Sequence, residues 1–168
     1  AIAELCASEQ ATLMDFVPWV FRNFTDRLTE QPGLASKLRS VKCVVIGGDK
    51  MDAEAVRVFK SHFPDIMIMN SYGPTEASIA SVFRKVDVHS ADAMTIGRPI
   101  ANTSVAVLDG RLRLMPYDAV GEICLGGIAV GQGYLGRPEE TAKRFVRSPY
   151  PTLGPRLYRT GDRGRLRR

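Results

Sequence analysis

Asn70-Ser71-Tyr72-Gly73-Pro74-Thr75-Glu76 is the stretch on which the reading of this chain turns. The apolar run Ile66-Met67-Ile68-Met69 before it reads as a buried strand, and Ala77 to Phe83 after it reads as a second strand. A ring, a tight turn, a hydroxyl and a carboxylate therefore share one loop. Gly73 takes torsions closed to other residues and Pro74 pre-sets its own φ, which together fix a turn. Tyr72 offers a flat face to a base, Thr75 a hydroxyl to a phosphate oxygen, and Glu76 a hard oxygen ligand to magnesium. The set suits a nucleoside triphosphate.

Outward from this loop the chain alternates strands and helices. Thr12 to Val17 reads as a short strand ending at Pro18, after Ala1 to Gln10 as the end of a helix. Trp19 to Leu28 carries Val20, Phe21, Phe24 and Leu28 at helical spacing, and Trp19 and the phenylalanines read as core. Gln31-Pro32-Gly33 breaks the chain, Leu34 to Leu38 forms a helical turn or two, and the β-branched run Val41 to Ile46 is a strand. Gly47-Gly48-Asp49 ends that strand. Asp52 then caps a helix whose apolar face is Ala53, Val56, Val58, Phe59 and Phe63. His62, near the end of that helix, reads as a surface or capping residue rather than a catalyst. Strand, helix, strand is a parallel α/β unit, and its ligands sit at the carboxyl ends of the strands. Gly47-Gly48 and Asn70 to Glu76 are both at such ends.

After Arg84 the character changes. Val105 to Leu108, Gly121 to Leu125 and Arg156 to Tyr158 read as short strands, and Glu139 to Val146 as a helix started by Arg137-Pro138. The expected organisation is an α/β part over residues 1–100 and a mostly β, barrel-like part over residues 101–168.

The bulk properties exclude several classes. The chain has 168 residues and a formal net charge of +5, with 45% hydrophobic residues, enough for a real core. Its tail from Arg156 to Arg168 holds six Arg and one Asp, so the rest of the chain is balanced. A uniformly basic surface for nucleic acid is not indicated. Cys6, Cys43 and Cys124 are far apart in apolar contexts without metal-ligand spacing, which reads as reduced, buried thiols and a cytoplasmic setting. The start shows no signal peptide and no long apolar run for a membrane. Without a starting Met, and ending just after a motif, the chain reads as an excerpt from a longer protein.

Four segments then fall in a recognisable order: Val45-Ile46-Gly47-Gly48-Asp49; Asn70 to Glu76; Gly121 to Gly127 continuing to Gly131-Gln132-Gly133-Tyr134-Leu135; and Tyr158-Arg159-Thr160-Gly161-Asp162. With the linking Ile96-Gly97-Arg98-Pro99, they resemble the adenylation domains of nonribosomal peptide synthetases, in the acyl-adenylate-forming superfamily. The resemblance runs over essentially the whole chain. It implies part of the large N-terminal domain of such an enzyme, an α/β subdomain with a parallel sheet followed by a distorted-barrel subdomain.

By resemblance, Tyr72 stacks on adenine within a nucleotide loop that includes Asn70, Ser71 and Gly73. Thr75 contacts the phosphates, Glu76 helps to hold Mg2+, and Asp162 accepts hydrogen bonds from the ribose hydroxyls. Glu122 reads as a solvent-facing strand residue. The family's substrate pocket maps to Asp15, Val45, Gly47, Ser71, Ile79 and Ala80. A carboxylate at Asp15 facing that pocket would favour a cationic side chain, ornithine- or lysine-like, because an unpaired buried charge is costly; the alternative is a solvated Asp15 at the strand end. The proline at Pro74 is typical of amino-acid-activating members. Asp49 stands where the family usually has Glu, and Arg163 where it usually has Leu.

The implied chemistry is ATP-dependent activation of an amino acid to an aminoacyl adenylate. Transfer to phosphopantetheine on a carrier domain follows, in a secondary-metabolite or siderophore assembly line with condensation domains. The family's phosphate loop and the aspartate for the substrate amino group are expected upstream, and its catalytic lysine downstream, so the excerpt alone is expected to be inactive. Two rivals are a freestanding aryl- or acyl-CoA ligase of the same superfamily and a non-catalytic adenylate-binding module. Intact Tyr72, Thr75, Glu76 and Asp162 argue against the second.

Overall fold

The computed structural model describes residues 1–90 and 94–167, so Arg168, the last residue of the basic tail, lies outside the described residues. The chain divides into two compact units, one of Ala1–Tyr72 with Phe83–Gly97, the other of Gly73–Val82 with Arg98–Arg168. The segment 70–76 thus passes from one unit to the other between Tyr72 and Gly73.

The first unit is built on strands β1 (Leu13–Phe16), β2 (Cys43–Gly47), β3 (Met67–Tyr72) and all but the first residue of β4 (Val82–Lys85), in that order across the sheet. β1, β2 and β3 are parallel, in register Asp15↔Val45↔Met69 and Phe16↔Ile46↔Asn70. Helices α1 (Ile2–Ser8), α2 (Pro18–Glu30) and α3 (Ala53–His62) supply the rest, with a 3-10 segment at Pro32–Leu38. Pro18 occupies the first turn of α2, where its missing N–H costs nothing and its fixed φ suits the helix. Asp52 caps α3, accepting from the N–H groups of Glu54 at 2.9 Å and Ala55 at 3.1 Å.

One face of this sheet packs on the helices. Met14 and Phe16, Val44 and Ile46, and Ile68 are buried with Phe21, Phe24, Val56 and Phe59. The rings interlock: Phe16 lies 5.3 Å from Phe24, and Phe21 lies 5.3 Å from Phe59. Three sequence expectations are corrected here. Trp19 is 76% exposed, because it falls on the opposite side of α2 from Phe21 and Phe24. Ala55, rather than Ala53, joins the buried face of α3. The run from Ile66 to Met69 is not uniformly buried: Met67 is exposed and Ile68 is buried, the alternation of a strand with one packed face.

The second unit contains the two-residue β5 (Arg98–Pro99) and an open antiparallel sheet made of β6 (Thr103–Leu108), β7 (Gly121–Gly127), β8 (Phe145–Arg147) and β9 (Arg156–Gly164). The strand order is β6-β7-β9-β8, and among the described residues this sheet does not close into a barrel. Its core holds Ala106, Leu108, Cys124 and Leu157, fully or nearly fully buried. Helix α4 (Pro138–Arg144) ends earlier than its sequence suggests, because Phe145 and Val146 leave it to pair with Tyr158 and Leu157. No helix among the described residues is long and apolar enough to cross a membrane.

The strand expected over Ala77 to Phe83 is replaced by a turn. Thr75–Ala77 is a 3-10 turn, Ser78 and Ile79 follow with φ of +61° and +67°, and β4 begins only at Val82. Backbone bonds from Ala77 N to Pro74 O (3.0 Å) and Ile79 N to Pro74 O (3.1 Å) curl the segment on itself. Gly73 admits this return: a Cβ there would stand 2.3 Å from the Ile79 carbonyl oxygen.

Candidate functional site

In the first unit the candidate pocket residues share a face. Asp15, Val45, Gly47 and Ser71 alternate with the packed residues of their strands, so all project to the side away from the α2–α3 core. Gly47 and Ser71 are register partners. A Cβ on Gly47 would fall 2.1 Å from Ser71 Oγ and 2.8 Å from Ser71 O, so glycine is the residue that lets the two strands end side by side. Asp15 is exposed, and the cost of an unpaired buried charge therefore does not arise for it among the described residues. Asn70 is on the other face, 5% exposed, and its Nδ2 donates to the Thr95 carbonyl at 3.0 Å. Tyr72 ends β3, half-buried.

Ile79 and Ala80 belong to the second unit, on the turn rather than on a strand, and Ile79 is 68% exposed. On the same turn Thr75 is exposed and Glu76 half-buried. Glu76 is held on two sides. Its carbonyl accepts from Gly131 N–H at 2.8 Å, and its Oε1 accepts the Tyr134 hydroxyl at 2.5 Å. The Tyr134 and Tyr158 hydroxyls lie 3.3 Å apart. Phe145 packs between these two rings, 5.3 Å from Tyr134 and 5.0 Å from Tyr158.

The electrostatics of this cluster favour an ionised Glu76. Burial pushes its carboxyl up. Hydrogen bonds from Tyr134, its own backbone and Tyr158, with the Arg144 charge, outweigh that and bring it below the ordinary glutamate range. Tyr158 is pushed up by burial first and then by its polar neighbours, so it stays a protonated donor. Tyr134 falls within a sequence motif that gives it no role of its own, because its carboxylate partner lies 58 positions away and such a pairing has no signature in one sequence.

Those features fit magnesium. Among the described residues no group of three or more His, Cys, Asp or Glu is placed to hold a metal. Magnesium does not require one, since it commonly binds one or two carboxylates together with substrate phosphates and water. A half-buried, oriented, ionised Glu76, next in sequence to the Thr75 hydroxyl, could supply the protein's share of such a set.

Asp162 is exposed on β9, where the strand departs from regular pairing between Arg159 and Arg163. Glu122 is the residue that the sequence misjudged. Its side chain is only 17% exposed and ion-paired with Arg159, whose Nε and Nη2 lie 3.0 Å and 2.6 Å from Oε2. The GEI context reads as alternation on a strand, and the partner is 37 residues away.

A family model described as AMP-binding enzyme matches residues 1–135. Among curated proteins, the chain is 38% identical over 165 residues to tyrocidine synthase 2 of Brevibacillus parabrevis, covering 98% of this chain and 4% of that protein. A crystal structure of a nonribosomal peptide synthetase in an AMPPNP-bound form resembles it with a TM-score of 0.88 at 30% identity, over 99% of this chain and 18% of that one. The structure of a nonribosomal peptide synthetase protein containing adenylation and PCP domains matches with a TM-score of 0.86 at 28% identity, over 99% and 33%. The chain therefore spans a small part of the length of each of these proteins.

Proposed function

The chain belongs to the AMP-binding enzyme family, and on that premise we propose that it is part of an amino-acid-activating adenylation domain of a nonribosomal peptide synthetase. The parent protein would join an amino acid to ATP and pass the product to the phosphopantetheine thiol of a carrier domain, beside condensation domains. In the first step a carboxylate oxygen attacks the α-phosphorus and pyrophosphate leaves. In the second the thiol sulfur attacks the acyl carbon, AMP leaves, and the thiol proton goes to solvent.

Neither step requires a nucleophile from this chain. What the first requires is alignment of carboxylate and phosphorus and neutralisation of charge as pyrophosphate departs. Magnesium, when bound, supplies that neutralisation. Glu76 would be its protein ligand, and Thr75 would donate to a phosphate oxygen. Tyr72 would stack on adenine within the Asn70–Gly73 segment, and Asp162 would accept from the ribose, so that binding energy at the nucleoside positions the α-phosphorus. Asp15, Val45, Gly47, Ser71, Ile79 and Ala80 would face the amino acid. A division of labour near residue 100, between an α/β part and a β-rich part, belongs to the same proposal.

The observation that carries this reading is the Glu76 carboxylate, fixed by Tyr134 on the turn that follows Tyr72. The experiment is amino-acid-dependent exchange of pyrophosphate into ATP by the intact parent protein. Exchange driven by one or a few amino acids is expected. Exchange driven only by aryl or fatty acids, with coenzyme A as acceptor, would replace the proposal with an acyl-CoA ligase. ATP binding without any exchange would reduce it to an adenylate-binding module. Within the first outcome, loss of a cationic substrate alone in Asp15→Asn would assign that carboxylate to the substrate side chain.

A further inference from the structure

Between Arg159 and Arg163 the β7–β9 ladder is broken. Cys124 pairs with Arg159 and Glu122 with Arg163, so the single residue Ile123 on β7 stands opposite Thr160, Gly161 and Asp162 on β9. The surplus residues leave the ladder as a bulge, and Gly161 takes a φ of +85°, a conformation that favours glycine. Bulges re-aim side chains, and this one ends on Asp162.

A bulge is held by whatever satisfies the backbone groups it removes from the ladder. Here every residue of it is pinned. Glu122 Oε1 accepts the Gly161 N–H at 3.1 Å. Glu122 Oε2 accepts from the Arg159 guanidinium through two nitrogens, which fixes the paired residue just before the bulge. The Thr160 hydroxyl donates to the Ile123 carbonyl at 2.8 Å and accepts the Asp162 N–H at 3.0 Å. A single carboxylate thus ties the guanidinium before the bulge to the peptide at its apex, and a single hydroxyl ties its two ends. The half-buried Glu122 carboxylate thus has both its oxygens engaged, one by the bulge and one by the guanidinium before it.

We propose that Glu122 and Thr160 are positioning residues for Asp162. They hold the bulge in the one conformation that presents the Asp162 carboxylate for the ribose hydroxyls of ATP. The inference rests on the reading of Asp162 as the ribose acceptor, and the test separates the two.

The intact parent protein is titrated with ATP and with 2′,3′-dideoxyATP, which lacks both ribose hydroxyls, in the wild type and in Asp162→Asn, Glu122→Gln and Thr160→Val. Thermal unfolding of each variant reports on folding. Wild type is expected to prefer ATP. Asp162→Asn should abolish most of that preference. Glu122→Gln and Thr160→Val should each weaken ATP about tenfold, the scale of one lost hydrogen bond to a charged group. They should leave dideoxyATP binding unchanged, raise the KM for ATP, and spare kcat at saturation. A merely structural role would weaken both nucleotides alike. If Asp162→Asn removes the preference while folded Glu122→Gln keeps it, the positioning role is overturned and the ribose assignment stands. Should Glu122→Gln not fold, Thr160→Val decides in the same way. If Asp162→Asn itself keeps the wild-type preference, the ribose assignment fails and the inference falls with it.

Discussion

Tyr134 donates its hydroxyl to Glu76 Oε1 at 2.5 Å, joining two residues 58 positions apart. The bond opposes the burial that would otherwise raise the Glu76 carboxyl, and it contributes to holding that group below the ordinary range. For a carboxyl lowered on folding, the associated stability is present above the unfolded pKa and is lost as pH falls through the lower folded value. Tyr134→Phe should therefore move the Glu76 carboxyl titration, read by carbon NMR, to higher pH. It should also raise the magnesium concentration needed for half-maximal exchange by about threefold to tenfold, the scale of one hydrogen bond. A carboxyl titration unmoved, or moved to lower pH, would refute the role given to this phenol.

Gly47→Ala is expected to destabilise the intact protein by about 1–3 kcal/mol, the usual cost of overpacking. The added Cβ would meet Ser71 Oγ at 2.1 Å and the Ser71 carbonyl oxygen at 2.8 Å. Because one of those atoms is backbone, the Ser71→Ala change in the same chain should restore only part of the loss. Urea denaturation measures both. Full restoration in the double variant would mean that the side chain alone sets the limit.

What could be read in advance follows from the range of the forces. The β2–α3–β3 unit was legible because its signals are local: a β-branched run, Asp52 as a cap, and apolar residues at helical spacing. Ala77 to Ala80 reads as strand because its apolar residues resemble an edge strand, while the bonds that curl it go to the Pro74 carbonyl and the room for it comes from Gly73. Phe145 and Val146 have helical neighbours but pair with Tyr158 and Leu157 in β9, so tertiary pairing overrides local preference. Glu122 was hidden for the same reason. Alternation along β7 predicts an exposed acid, and only the fold brings Arg159 to it. The proposed site residues can be named from motif order, but the contacts of Tyr134 and Glu122 cannot, because their partners lie 58 and 37 positions away.

Asp52 serves α3 in two ways: it caps two backbone N–H groups and meets Arg22 at 2.5 Å. The Arg22 hydrogen bond, aided by those backbone donors, holds its carboxyl below the usual aspartate range. Asp52→Ala should cost about 1 kcal/mol near neutrality through the lost cap. Asp52→Asn should cost less, since its amide oxygen can still accept. Stability from a lowered carboxyl is present above the unfolded pKa and disappears as pH falls through the folded value. The gap in melting temperature between wild type and Asp52→Ala should therefore narrow from about pH 7 to about pH 2. A gap that stays constant would show that the charge takes no part.

Cys124 lies at the centre of the second unit's core, fully buried on β7. Burial first, then the neighbouring Glu122 charge, pushes its thiol up to about 11, with Arg159 opposing. Thiolate is the reactive form, and an ordinary free cysteine has a pKa of about 8.5. Near pH 8 the thiolate fraction at Cys124 is thus roughly two orders of magnitude below that of an unperturbed thiol, before any steric exclusion is counted. Iodoacetamide followed by peptide mass analysis should leave Cys124 unmodified in the native protein and modify it fully in denaturant. Cys6 and Cys43 are raised by burial alone, and Cys43 is only half-buried, so Cys43 should react before Cys124. Native labelling of Cys124 at the rate of Cys43 would mean that β7 opens readily, and a bulge pinned to Glu122 on that same strand could not then be held in a single conformation.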